Sequence, residues 1–112
     1  MTRGPWDIAG YRQIMRFTFR SEAWQYPGQA AWVFVSLPQD ISKHIEQLTH
    51  QERRGFGSVR VEAQLGETSW NTSIFPDNKR GCYLLPLKKA VRATEHIELG
   101  APLTLELTVL DI

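Results

Sequence analysis

Cysteine is nearly missing from this chain: Cys82 is the only one among 112 residues. One cysteine excludes an intrachain disulfide and a thiolate metal cluster, and its strand-like context suggests a small buried hydrophobe. The three histidines, His44, His50 and His96, have no metal-binding spacing. No apolar run is long enough to span a bilayer, and Met1-Thr2-Arg3-Gly4-Pro5-Trp6 lacks the apolar stretch of a signal peptide. A reducing cytoplasm is therefore the expected compartment. Charge of one sign is also scarce, with a formal net of +1. No global field draws the molecule to nucleic acid or membrane, so any anion would have to meet a local cluster. These absences leave an enzyme poorly supported: no catalytic residue, metal or cofactor is expected.

What is present is apolar and aromatic. Hydrophobic residues make up 42%, with four Trp and five Phe, enough large side chains for one small core. Residues 1–12 read as an N-terminal arm pinned by Trp6 or Tyr11, and residues 13–112 as one domain. From Ile14 a period of two begins, with Met15, Phe17 and Phe19 facing one way and Arg16, Thr18 and Arg20 the other, a half-buried strand. Tyr26 to Gln29 has turn chemistry. Ala31 to Ser36 is apolar on both faces, as a central strand would be. Val59, Val61, Ala63 and Leu65 alternate with polar residues, and Gly66-Glu67 turns the chain into a hairpin partner, Thr68 to Phe75. Pro76 to Gly81 reads as a second turn, and Leu103 to Val109 as a final alternating strand.

One motif occurs twice: an aromatic-rich strand runs into Leu-Pro and then into an amphipathic helix. The first copy is Trp32 to Pro38 followed by Gln39 to Leu48, with Ile41, Ile45 and Leu48 as the buried stripe. The second is Cys82 to Pro86 followed by Leu87 to Thr94, burying Leu87, Ala90 and Val91. In each, proline stands where a missing N–H costs a helix nothing. About six short strands and two short helices predict a mainly β chain folded as a small barrel.

Trp32-Val33-Phe34-Val35-Ser36-Leu37-Pro38, Trp70 to Pro76, Gly81 to Arg92 and Leu99-Gly100 together resemble a bacterial family catalogued as domain of unknown function nineteen-hundred-and-five. The similarity spans Ile14 to Val109, with Ala101 departing from the family pattern, which has Asp after the glycine. The resemblance implies a split β-barrel related to the AbrB and MazE swapped-hairpin fold, pseudo-duplicated within one chain, and an association with YdeI-type proteins. It implies no activity. With both halves in one chain the barrel closes on itself, and a closed barrel has no exposed edge to drive dimerisation, so a monomer is expected.

The candidate functional surface is the second helix, where Lys88, Lys89 and Arg92 lie opposite the apolar stripe, with Lys79 and Arg80 as an extension. Such a cluster suits phosphate or carboxylate, although exposed lysines at this spacing also occur as an ordinary solvated helix face. Arg54, beside Phe56 in a glycine-flanked loop, is a further candidate; Gly55 and Gly57 match no dinucleotide or phosphate-loop pattern. Trp70, Thr72 and Ser73 invite comparison with a binding cleft, but alternation places Ser73 on the opposite face, which favours Trp70 as plain core. The reading is thus a non-enzymatic binding or interaction module for a small anionic ligand or a protein partner. AbrB-type DNA binding is the alternative, and an enzyme with a cleft in the barrel is the least favoured.

Overall fold

The computed structural model describes residues 15–28, 31–49 and 57–110. The N-terminal arm and its Trp6 and Tyr11, and Arg54 with its loop, lie outside the described residues. The elements are β1 (Met15–Gln25), β2 (Val33–Ser36), α1 (Gln39–Thr49), β3 (Val59–Leu65), β4 (Thr68–Asp77), β5 (Cys82–Pro86), α2 (Lys89–Thr94) and β6 (Pro102–Val109). All strand pairs are antiparallel. They close a barrel in the order β1-β2-β5-β4-β3-β6, with β6 returning to β1.

Alternation explains the walls. β3 buries Val59, Val61, Ala63 and Leu65 and exposes Arg60, Glu62 and Gln64, and β6 buries Leu105, Leu107 and Val109. β-Branched residues suit this pleated surface, where each inward side chain packs against its cross-strand neighbours. Phe19, Val35, Ile74 and Leu85 join them in one core that Ile45 of α1 and Val91 of α2 close at the ends.

Several expectations shift. β1 runs on to Gln25, and β2 starts only at Val33, with Trp32 left 53% exposed. Pro76 is not in a turn: it pairs with Tyr83 inside β4. The bend is confined to residues 78–81, where the carboxylate of Asp77 accepts the backbone N–H of Arg80 at 3.0 Å and Gly81 takes a φ of 70°, which glycine adopts without strain. On α1 the buried residues are Ser42, Ile45 and Thr49, while Leu48 is exposed. The helix is rolled toward its polar side because both hydroxyls find partners. Thr49 Oγ1 donates to the Ile45 carbonyl at 2.7 Å, and Ser42 Oγ accepts from the Tyr83 N–H at 3.0 Å. On α2, Ala90 is exposed and Val91 is buried.

The duplication is real, but its register differs from the Leu-Pro alignment. Pro86 ends β5 and α2 begins at Lys89, so the partner of Leu37-Pro38 is Leu87-Lys88, an offset of fifty residues (Leu37 with Leu87), not Leu85-Pro86. Two hydrogen bonds related by this offset prove it. The Leu37 N–H donates to the Tyr83 carbonyl at 3.0 Å, and the Leu87 N–H donates to the Val33 carbonyl at 2.9 Å. The first turns of the helices match too: Ser42 N–H to the Pro38 carbonyl, Arg92 N–H to the Lys88 carbonyl. The barrel is two copies of one unit related by an approximate twofold axis between β2 and β5.

Candidate functional site

In each unit two strands pair briefly and then diverge. β1 pairs with β2 over Ala23–Gln25 before continuing along β6. β4 pairs with β5 over Phe75–Asp77 and otherwise runs along β3. Under the internal symmetry Trp24 corresponds to Phe75, Phe34 to Leu84, Ser36 to Pro86 and Pro38 to Lys88. The two seams therefore serve as each other's control.

The β1–β2 seam is stitched shut. Ser21 Oγ donates to the Ser36 carbonyl at 2.8 Å, and the Trp24 indole N–H donates to Ser36 Oγ at 3.0 Å. The two ladders are equally long but shifted: β1–β2 pairs Ala23 with Val35, where the counterparts Ile74 and Leu85 are not paired, and β4–β5 instead pairs Asp77 with Cys82. In the β4–β5 seam the Trp–Ser stitch has no counterpart, although Thr72 keeps a hydroxyl at the position of Ser21. Pro86 stands in place of Ser36 and has neither hydroxyl nor N–H, and Phe75 replaces the tryptophan and has no donor. A groove of about 540 Å³ remains there, walled by Trp32, Phe34, Trp70, Phe75, Leu84 and Leu87. Its volume lies within the range of small-molecule sites, and its lining is the expected apolar surface with few polar groups.

The walls are held by their neighbours. Trp32, Phe34, Tyr26 and Trp24 form a chain of ring contacts on the outer face of β1 and β2, at centroid distances of 5.6 to 6.4 Å. Arg80 caps this chain with its guanidinium 4.3 Å from the Trp24 ring centre. It is itself fixed by Asp77 at 2.7 Å. Edge-to-face and stacked rings of this kind are mutually stabilising, so the groove wall is formed in advance of any ligand. Trp32 and Phe75 are 53% and 42% exposed. Two large apolar side chains facing solvent on one rim are the mark of an interaction site.

Of the basic residues expected to act together, the groove takes one. Lys88 is in extended conformation at the N-terminus of α2, with no side-chain capping bond, and lines the groove. Among the described residues it makes no ion pair. Lys89 is exposed on α2 and does not line it. Arg92 is half-buried and already engaged: Nε donates to the Leu87 carbonyl at 2.9 Å, and a terminal nitrogen to the Ala31 carbonyl at 3.4 Å. It holds α2 against the wall, with its donors turned to backbone carbonyls. Trp70 is buried, as expected of core, yet it and Thr72 also floor the groove, and Asn71 joins them. Ser73 does not line the groove, but Asn71 and Phe75, on its face of the strand, do; alternation alone does not show that divergence of β4 from β5 uncovers the flank of an inward-facing tryptophan.

A second concavity of about 590 Å³ lies between α1 and the β4–β5 turn. Three of its polar groups are committed within the fold: Asp40 accepts the Ile41 N–H, Asp77 holds Arg80, and Ser42 accepts from Tyr83. Cys82 at its edge has its thiol pushed up by burial, with Ser36 opposing, so it is a neutral thiol at pH 7 and no poised nucleophile. His44 packs edge-on against Phe17 at 5.6 Å and forms no couple with Asp40. No group of three or more His, Cys, Asp or Glu able to hold a metal occurs among the described residues. No helix among them is long and apolar enough to cross a membrane.

Residues 19–107 match the model of the family described as Domain of unknown function (DUF1905). No curated protein matches the chain.

Proposed function

The chain belongs to the DUF1905 family, whose description assigns no activity, and from its own surfaces we propose that it is a non-enzymatic binding module whose ligand site is the open β4–β5 seam. The observation that carries this reading is the asymmetry between the seams. One unit closes its gap with Ser21, Trp24 and Ser36; the other leaves an aromatic groove at the equivalent place. An apolar opening in a barrel wall costs stability through lost dispersion contacts, so an unfilled seam beside a filled copy of itself suits occupancy by a ligand. The groove offers flat apolar contact from Trp32, Phe34 and Phe75, with polar groups at Asn71, Thr72 and Lys88.

The test uses N-phenyl-1-naphthylamine, a neutral planar dye that fluoresces when it leaves water. We expect saturable binding, with Trp32→Ala weakening it about tenfold, a loss of about 1.4 kcal/mol. Leu48→Ala, which removes another exposed apolar side chain, on α1, leaves binding unchanged. Failure of the dye to bind, or equal losses in both variants, would remove the seam as a site. The alternative of phosphate contacts with duplex DNA draws on Lys88 and Lys89 and is checked in parallel with a labelled duplex at low and high salt, where phosphate binding weakens steeply.

A further inference from the structure

Resting on the reading of the seam as a site, we propose that its ligand is a planar aromatic anion, with the flat body between Trp32 and Phe75 and the carboxylate or sulfonate at the Lys88 ammonium. Lys88 supplies the argument. It occupies the position that Pro38 holds in the closed unit, so the mouth of the open seam has a cation where its copy has a neutral ring. Of the nearby basic residues, Arg80 and Arg92 are engaged within the fold, and Lys89 is exposed on α2 without lining the groove. Arg80 is held by Asp77 through its side chain and its backbone N–H, and Arg92 is turned back onto two carbonyls. Lys88 alone lines the groove as a cation and makes no ion pair among the described residues. Among the described residues no aspartate or glutamate lines the groove, so an anionic end meets attraction without opposing charge from them. On the facing strand the amide of Asn71 and the hydroxyl of Thr72 add hydrogen-bond donors, which orient a carboxylate without the desolvation cost of a second buried charge.

The size and shape of the walls point the same way. Trp32, Phe34 and Phe75 present rings, and the groove is open on one side, which suits insertion of a flat molecule from its edge. A flexible chain would lose more rotamer freedom on being held there than a fused ring.

Two dyes that differ by a single sulfonate test the charge separately from the groove: N-phenyl-1-naphthylamine and 8-anilinonaphthalene-1-sulfonate. In the native protein the sulfonate is expected to bind about fivefold to tenfold more tightly than the neutral dye, the span of one well-placed partly exposed charge pair. Lys88→Ala should bring the two affinities together, and Lys88→Glu should invert them, while the neutral dye is unaffected by either. High salt should act like Lys88→Ala. Equal binding of the two dyes by the native protein, or a sulfonate preference that survives Lys88→Ala, overturns the assignment of an anionic ligand while leaving the groove itself standing. If neither dye binds, the site reading fails first and this inference with it. Lys88 is exposed and caps nothing, so the variants are expected to fold, and unchanged far-ultraviolet circular dichroism confirms that before the titrations.

Discussion

Asp77 shows how much of the site's rigidity hangs on one carboxylate. The backbone N–H of Arg80 is the main cause that lowers its pKa from the usual carboxylate value; burial opposes it, and the Arg80 side chain adds a further lowering. A depressed folded-state pKa means that the carboxylate stabilises the fold above the unfolded value, about pH 4, and that this contribution is lost as pH falls through that range toward the folded value. Asp77→Asn should therefore lower stability at pH 7 by about 1 kcal/mol, the scale of one partly exposed charged hydrogen-bond pair. The difference between native protein and variant should begin to shrink below about pH 4, where the unfolded-state carboxylate takes up a proton, and should vanish only below the depressed folded-state value. Urea midpoints measured at pH 7 and pH 3.5 check it. A gap that stays constant across this range would show that the bond to Arg80 contributes through shape alone. Because Arg80 lies over Trp24, the same substitution should also redden the emission of that tryptophan.

At the scale of elements, strands were far more legible than helix faces. β3 and β6 alternate so strictly that their inward residues follow from period two alone, and β4 was recognisable from the glycine turn at residue 66. The α1 stripe was misjudged at its end, since Leu48 lies on an apolar period but Thr49 is buried by bonding back to the Ile45 carbonyl. Hydropathy does not see a hydroxyl that supplies its own partner. The doubled motif was visible, but Leu-Pro drew the alignment to Leu85-Pro86, when the symmetric residue is Leu87. The groove was hidden for a related reason: it exists only because two strands part where a serine and a tryptophan are missing. That reasoning makes the seam repairable. Phe75→Trp combined with Pro86→Ser installs the Trp–Ser stitch of the closed unit in the open one. The double variant should bind the neutral dye at least about tenfold more weakly, with a denaturation midpoint equal to or above that of the native protein, since a wall contact has been gained. Either substitution alone should have a partial effect, because the indole N–H needs the hydroxyl as its acceptor. Undiminished binding in a well-folded double variant would place the site elsewhere.

At the scale of the whole molecule, the order of strands carries a further consequence of the duplication. β3 feeds β4 through a tight turn, with Leu65 paired to Thr68 and Gly66 at a φ of 60°. The corresponding strands of the other unit are β6 and β1, which lie side by side with Val109 paired to Met15 but are the last and first strands among the described residues. The architecture is thus a cycle cut between β6 and β1, and physics gives no reason for the cut to fall there. Joining Ile112 to Met1, so that residues 1–14 serve as the link, and opening the chain between Gly66 and Glu67 should yield the same barrel. One tether is put at risk. The carboxylate of Glu95 accepts a hydrogen bond from Thr68 and lies where any side chain on Gly66 would collide with it, so loosening this turn should cost about 1 kcal/mol at the C-terminal end of α2. The groove should survive, because β4, β5 and α2 remain one continuous stretch and the seam closes on neither terminus. Native-like circular dichroism, with dye affinity within about twofold of the native protein (under 0.5 kcal/mol), is the expected result. A permutant that folds but loses the dye would mean that the path from β3 into β4, and not local divergence of β4 from β5, holds the seam open.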